Sequence, residues 1–363
     1  MATTVNPDFV DKIKKLGAFD LQACYSCGNC TAICPLSTEN NSFPRKMIRY
    51  TLLGLEEKIV KSPDPWLCYY CGECSDTCPR EADPAALMMA SRRFVIRKYS
   101  IGKIADWFYS GLNSIIAWAI LTIISIIGII FFRAKSPNYS EVDFMSFIPT
   151  DFLHYAGIIM GIIVFFFIIA NIYIMVKSIV LKNKKVKFKF LIKSFWSTLV
   201  TEIILQKKFR DCGDKSKYIP HLALVYGFIG LLMATISALL IYFIAPDQTE
   251  WKIIPRLLGI IFGLVLIYGS GYYIYLRTVK KDTYSKYSHH TDWVFLLLMF
   301  SAGLSGFFMD IFKLFNLPMV AYIAFAVHLI IVFNLLITAP FTKFAHALYR
   351  PIAILLSNLY KDG

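Results

Sequence analysis

Nine cysteines occur in 363 residues, and eight of them fall between Cys24 and Cys78. They form a run that repeats. Cys24-x2-Cys27-x2-Cys30-x3-Cys34-Pro35 returns as Cys68-x2-Cys71-x2-Cys74-x3-Cys78-Pro79, every cysteine displaced by the same 44 residues. Thiols clustered in this way indicate metal in a reducing compartment rather than a secreted disulfide scaffold. The spacing is the run in which three thiolates hold one [4Fe–4S] cluster and the fourth reaches the other cluster. It assigns Cys24, Cys27, Cys30 and Cys78 to one cluster and Cys68, Cys71, Cys74 and Cys34 to the second. Zinc is the competing metal, since four thiolates also make a tetrahedral site. A zinc pair would need only the CxxC halves and would leave the third cysteine and the Cys-Pro pair of each run unexplained. Cys212 stands alone in a basic loop and reads as a spectator thiol.

The second set of candidates is the histidines, because an ionisable residue inside a long apolar stretch is functional by default. His221 opens the third such stretch and His346 follows the sixth, a matched depth that suits axial ligation of one b-type heme. His328 precedes His346 by five helical turns, about 27 Å along one face, with Pro340 between them. It is the candidate ligand of a second, outer heme. His154 is the other histidine on the outer half, but its depth differs from that of His328 by about 15 Å. His289 and His290 lie in a basic loop and read as solvated. For any of these, the bland alternative is a ring bonded to a carbonyl or sitting in interfacial water.

These residues must be positioned by two kinds of chain, which meet near residue 105. Residues 1–105 are polar and cysteine-rich, and residues 106–363 are dominated by apolar runs. With 57% apolar residues, 16% aromatic residues and a mean hydropathy of +0.56, a purely soluble protein is excluded. Six stretches, at about 111–132, 153–176, 219–245, 257–276, 293–309 and 317–338, contain no Lys, Arg, Asp or Glu. Each is long enough to cross a hydrocarbon core of roughly 30 Å as a helix. The net charge of +14 is concentrated in the connecting loops, so it speaks for membrane orientation and not for nucleic acid. Loop 177–218 holds twelve basic residues against Glu202, Asp211 and Asp214, whereas loop 133–152 has only Arg133 and Lys135. Both termini are therefore expected on the cytoplasmic side of the inner membrane, with no cleavable signal in MATTVNPDFVDKIKK. Within the basic loop, VKFKFLIKSFWSTLVTEIILQKKF alternates lysines and aromatics as an interfacial helix does, lying on the membrane surface or docking a partner. Arg45, Arg49, Arg92, Arg93 and Arg97 lie on helical stretches flanking the cysteines. They balance the thiolate clusters, face a partner, or are solvated.

The string FPRKMIRYTLLGLEEKIVKSPDPWLCYYCGECSDTCPREADPAALMMASRRF resembles the C subunit of heterodisulfide reductases, and the resemblance covers most of residues 15–100. IPHLALVYGFIGLL and the tail from Val320 to Tyr360 resemble the cytochrome b subunit of respiratory nitrate reductase and the E subunit of heterodisulfide reductase, over roughly residues 150–360. That motif carries a second histidine ten residues after the first, and here the position is Leu231. The departure leaves His328 without its usual partner.

The two resemblances in this order are those of the membrane C subunit of quinone-interacting membrane-bound oxidoreductases. The implied fold is mostly α: an α-helical ferredoxin-type domain with two [4Fe–4S] clusters, then a six-helix transmembrane cytochrome b domain. The implied activity is electron exchange between menaquinone with heme b and cytoplasmic flavin and iron–sulfur subunits serving adenylylsulfate reductase. The alternatives are a fused C/E subunit of a heterodisulfide-reductase-like or sulfite-reductase-linked complex, or a redox-sensing or anchoring protein without quinone turnover. No two cysteines are adjacent, so the cysteine-pair motif of disulfide-reducing catalytic subunits is absent and this chain reads as a conduit with no catalytic residues for a soluble substrate. In the nitrate-reductase-type relative a lysine after the third span helps hold quinol. Lys252 stands within a residue of that place, where it either serves quinone or snorkels to water beside Trp251. Tyr226 marks the alternative, a quinone site on the cytoplasmic half.

Overall fold

The structure is a computed structural model that describes residues 4–136, 138–179, 188–207, 215–279 and 288–361. It is helical throughout. Among the described residues the only β-type pairing is an isolated bridge between Thr38 and Asn41. Cys212 lies outside the described residues.

Among the described residues, six helices are long and apolar enough to cross a membrane: Leu112–Arg133, Thr150–Ile179, Tyr218–Ile244, Glu250–Val279, His290–Leu314 and Pro318–Phe341. In sequence order they are called spans one to six. They form a multi-pass membrane unit. Large apolar side chains such as Ile124, Phe131 and Phe132 of span one and Ile162, Phe165 and Phe166 of span two point away from all protein. Side chains of this kind around a bundle whose backbone bonds are internally satisfied are what lipid covers.

Spans three and four approach closely because a glycine on each faces the backbone of the other. A Cβ at Gly227 would lie 2.7 Å from the Leu266 backbone nitrogen, and one at Gly269 would lie 2.5 Å from that of Leu224. Spans three to six share a core of Leu266, Met299, Ala302 and Leu335, with Phe228, Phe295 and Phe344 packed against it.

His328 and His346 do not share one helix face. The α-helix of span six ends at Thr338 and is followed by two single 3-10 turns, Ala339–Phe341 and Lys343–Ala345, with Thr342 extended between them. Pro340 supplies no amide hydrogen and its ring cannot continue the helix, so the chain breaks there. A new helix then starts at His346 and runs to Lys361.

The cysteine-rich region is a set of short helices around one long one, Pro84–Tyr99. Asp83 caps this helix by accepting the Ala86 amide at 3.0 Å, and Pro84 fits its first position because the missing N–H has no partner there anyway. Nearly every residue of the helix is buried, which is unusual for a helix carrying two consecutive arginines, Arg92 and Arg93. The compositional break at residue 105 is no break in packing. A single core runs from Phe9, Ile13 and Trp66 through Phe94 and Tyr99 to Phe108, Met175, Phe341, Tyr349 and Ala353.

The basic connection after span two contains the helix Phe188–Thr198, followed by a π-helical stretch, Leu199–Ile204. Leu191, Ile192, Phe195 and Trp196 are exposed, while Glu202 accepts a hydrogen bond from the Tyr69 hydroxyl at 3.1 Å. The segment therefore combines an apolar exposed face with a contact to the cysteine-rich region.

Candidate metal centres

The two cysteine runs share one backbone device. Ser26 and Tyr70 sit at φ 64° and 60°, and Gly28 and Gly72 at φ 93° and 96°, each pair separated by the repeat length. This left-handed turn aims the Ser26 amide at Cys24 Sγ (3.4 Å) and the Tyr70 amide at Cys68 Sγ (3.3 Å). Glycine suits the second position because it carries no Cβ penalty at positive φ. The helix after each turn, Asn29–Ile33 in one run and Glu73–Asp76 in the other, carries the third cysteine. Asn29 ties the runs together by donating to the Thr77 carbonyl at 2.6 Å, next to Cys78.

The two runs are brought together so that Cys78 stands beside the first three cysteines of the other run. Cys24, Cys27, Cys30 and Cys78 line one small cavity together with Arg45. Cys34 lies within electrostatic reach of Cys68 and Cys71, and Cys74 within reach of Cys68, Cys71 and Cys34. Burial pushes the Cys34 thiol up to about 11, with the neighbouring thiols adding to the shift, and it raises Cys74 further still. Sulfurs crowded and desolvated in this way keep their protons until a cation joins them, which is the chemistry of a metal-cluster site. The donor set thus fits such a group.

The arginines divide by role. Arg45 approaches the Cys24 cavity, its guanidinium 2.9 Å from where a Cβ of Gly28 would stand, and Arg49 is exposed. Arg92 is buried and donates to the Pro65 carbonyl at 2.6 Å and to the Cys68 carbonyl, which brings positive charge to the second run. Arg97 pairs with Asp106 at 2.6 Å. Arg93 turns away from both runs, donating to the Leu16 carbonyl and meeting Asp292 at 2.6 Å.

Asp292, in the first turn of span five, is also 3.0 Å from Lys343 and 3.8 Å from Arg277. This buried ion cluster joins the cysteine-rich region to the bundle, and sequence reading missed Asp292 and Lys343 because their partners lie far away along the chain. The one local sign was an aspartate standing directly before a charge-free apolar run.

Of the candidate heme ligands, His346 is fully enclosed. Burial holds its imidazole well below the ordinary histidine range, reinforced by Arg92, Arg350, Lys343 and His221, so the ring is neutral as a metal ligand must be. Trp66, two residues before Cys68, lies with its ring centroid 6.1 Å from that of His346. His221 bonds through Nδ1 to Gln206 Oε1 at 2.5 Å. If Nδ1 carries the proton, the lone pair is on Nε2, the arrangement common to ligating histidines. The structure thus brings His221 and His346 into one electrostatic neighbourhood beside the second cysteine run.

His328 is separate, with Nδ1 2.8 Å from Ser305 Oγ. His154 bonds the Thr150 carbonyl and stacks on Tyr242 at 4.1 Å. His289 and His290 are not solvated loop residues. His289 caps span five by accepting the Thr291 amide, stacks against His290 at 3.9 Å, and packs near Tyr109 at 6.1 Å. The cysteine-rich region covers this helix start, which is why the basic loop did not reveal it. Lys252 and Trp251 are exposed, and the Tyr226 hydroxyl donates to the Ile204 carbonyl.

Comparison with known proteins adds to this geometry. Residues 20–82 match the family described as a 4Fe-4S dicluster domain, and residues 210–362 the family described as Citrate utilization protein B. The chain is 38% identical over 94 residues to a protein of Archaeoglobus profundus described as like the C subunit of heterodisulfide reductase, covering 26% of this chain and 50% of that one. It is 31% identical over 107 residues to the iron-sulfur C subunit of the CoB–CoM heterodisulfide reductase of Methanopyrus kandleri, covering 27% and 56%. It is 35% identical over 63 residues to the C subunit of the H2:CoB-CoM heterodisulfide,ferredoxin reductase of Methanothermobacter marburgensis, covering 17% and 34%. The chain spans about half the length of the first two of these relatives. No solved structure matches. The N-terminal region is thus a 4Fe–4S domain similar to heterodisulfide reductase C subunits, joined to six apolar helices.

Proposed function

We propose that this chain is the membrane electron-transfer subunit of a quinone-linked oxidoreductase complex, exchanging electrons between menaquinone in the inner membrane and soluble flavin and iron–sulfur subunits. Cys24, Cys27, Cys30 and Cys78 hold one [4Fe–4S] cluster, Cys68, Cys71, Cys74 and Cys34 a second, and His221 with His346 a b-type heme. Bound there, these groups supply one-electron redox chemistry. The residues of the chain supply position, charge and insulation. A single observation carries the reading: Trp66, two residues before Cys68, packs beside His346, and Arg92, which donates to the Cys68 carbonyl, lines the same cavity as that histidine. The membrane histidine, the buried cysteine run and the exposed cysteine run are therefore contiguous, in that order. Cys27 and Tyr25 on the Cys24 side are exposed, the end from which a soluble partner is reached.

The resemblance of motif order favours adenylylsulfate reductase as the system served, in sulfur metabolism, with the cysteine-rich end and both termini cytoplasmic. A second reading, a fused C/E subunit of a heterodisulfide-reductase-like complex, is favoured by the similarity of the first 110 or so residues to C subunits of that enzyme. A heme on His328 is not part of the proposal, since Leu231 stands where a partner histidine would be.

The test is analysis of the purified full chain for iron, acid-labile sulfide and pyridine hemochrome, then addition of a menaquinol analogue. About eight irons, a b-type hemochrome and quinol-dependent heme reduction are expected. Zinc in place of iron, or no heme, would contradict the assignment.

A further inference from the structure

A small cavity lies between the Pro84–Tyr99 helix and the bundle, lined among others by Arg92, Arg93, Tyr109, Asp292, Lys343 and His346. Its charges do not balance. Arg92, Arg93 and Lys343 converge on it with one carboxylate, Asp292, and that carboxylate is already shared among Arg93, Lys343 and Arg277. Two donors there are buried with no acceptor, Arg93 Nε and the Tyr109 hydroxyl, and both residues are about 5% exposed. Buried cations in excess of anions, and buried donors without acceptors, are both unfavourable, and one anionic oxygen-rich group relieves both. Guanidinium and ammonium groups arranged around such a space are carboxylate receptors.

We infer that this cavity is a carboxylate-binding site and, resting on the heme reading above, that Arg93, Lys343 and Tyr109 receive the propionate groups of a heme held at His346. His346 lines the same cavity, so the ring ligand and the anion receptors belong to one space. Burial lowers Lys343 to about 8 in spite of the pull of Asp292, and a further carboxylate would hold its proton.

The experiment uses the full chain in nanodiscs, produced without heme and titrated with hemin or with hemin dimethyl ester, whose propionates are uncharged. The Soret band reports binding. The diacid is expected to bind about tenfold more tightly than the ester. That preference should shrink to under about threefold in Lys343→Met, as the ammonium–carboxylate contact is lost. Tyr109→Phe, which removes an unpartnered hydroxyl and leaves the ion cluster whole, should give a smaller reduction. Equal binding of the two porphyrins by the wild type, or a preference unchanged in both variants, overturns the propionate assignment. If neither porphyrin binds the wild type, it is the heme reading that fails. Thermal unfolding of the heme-free chain with citrate then separates the remaining cases. Stabilisation lost in Lys343→Met keeps a carboxylate site filled by a free anion and rejects the propionates, and no stabilisation overturns the site as well.

Discussion

The two cysteine runs have the same ligand spacing and the same left-handed turn, and each buries one cysteine, Cys30 or Cys68, yet only the first exposes one, Cys27. In the first, Cys27 and Tyr25 are exposed and the nearby guanidinium is the half-buried Arg45. In the second, Cys68 is buried, Arg92 donates to its carbonyl, and Arg350 lies 4.1 Å over the ring of Tyr69. Duplication preserved the frame that holds metal and let the surroundings diverge. One copy became the floor of the interface with the bundle, and the other stayed open. A conduit needs this asymmetry, since one end must meet the membrane and the other a soluble partner.

The largest effect that can break the comparison comes from the exchanged fourth cysteines. Cys78→Ser should remove the EPR signal of the Cys24 side and about half of the iron, and Cys34→Ser should remove that of the Cys68 side. Loss of the same signal in both variants would mean that the fourth ligands are not exchanged. The difference in exposure predicts a difference in attack. Under ferricyanide or an iron chelator the Cys24-side cluster should bleach roughly tenfold faster than the other, because reagent access follows exposure. Equal rates would show that the two environments are alike in solution.

Stability sharpens the contrast at smaller scale. Arg92→Met strands two backbone carbonyls and removes a buried charge, so it should cost about 3 kcal/mol in denaturant unfolding of the metal-loaded chain. Arg45→Met, on the open run, should cost under about 1 kcal/mol. Of similar size, Tyr69→Phe removes one hydrogen bond to Glu202 and should cost about 1 kcal/mol. Tyr25→Phe on the exposed copy should leave the midpoint unchanged.

What could be read from sequence was whatever is local. The repeat and the six apolar helices are patterns of a few residues to a few tens, and they appear in the structure as helices and paired cysteine runs. What could not be read was pairing at long range or breaks in helix geometry. Arg93 and Asp292 are 199 residues apart, and nothing in either neighbourhood names the other. The five-turn ruler from His328 to His346 assumed a continuous helix, and Pro340 with the extended Thr342 interrupts it. His289 and His290 looked solvated because their loop is basic, but Tyr109, from the short helix before span one, packs near His289.

The order from membrane histidine to buried run to exposed run is tested most directly by rapid-freeze EPR of the full chain in nanodiscs after mixing with menaquinol. In a Cys71→Ser variant that keeps the heme and the Cys24-side cluster, the account predicts that quinol still reduces the heme while the Cys24-side cluster stays oxidised. Reduction of the Cys24-side cluster at the wild-type rate in that variant would contradict it.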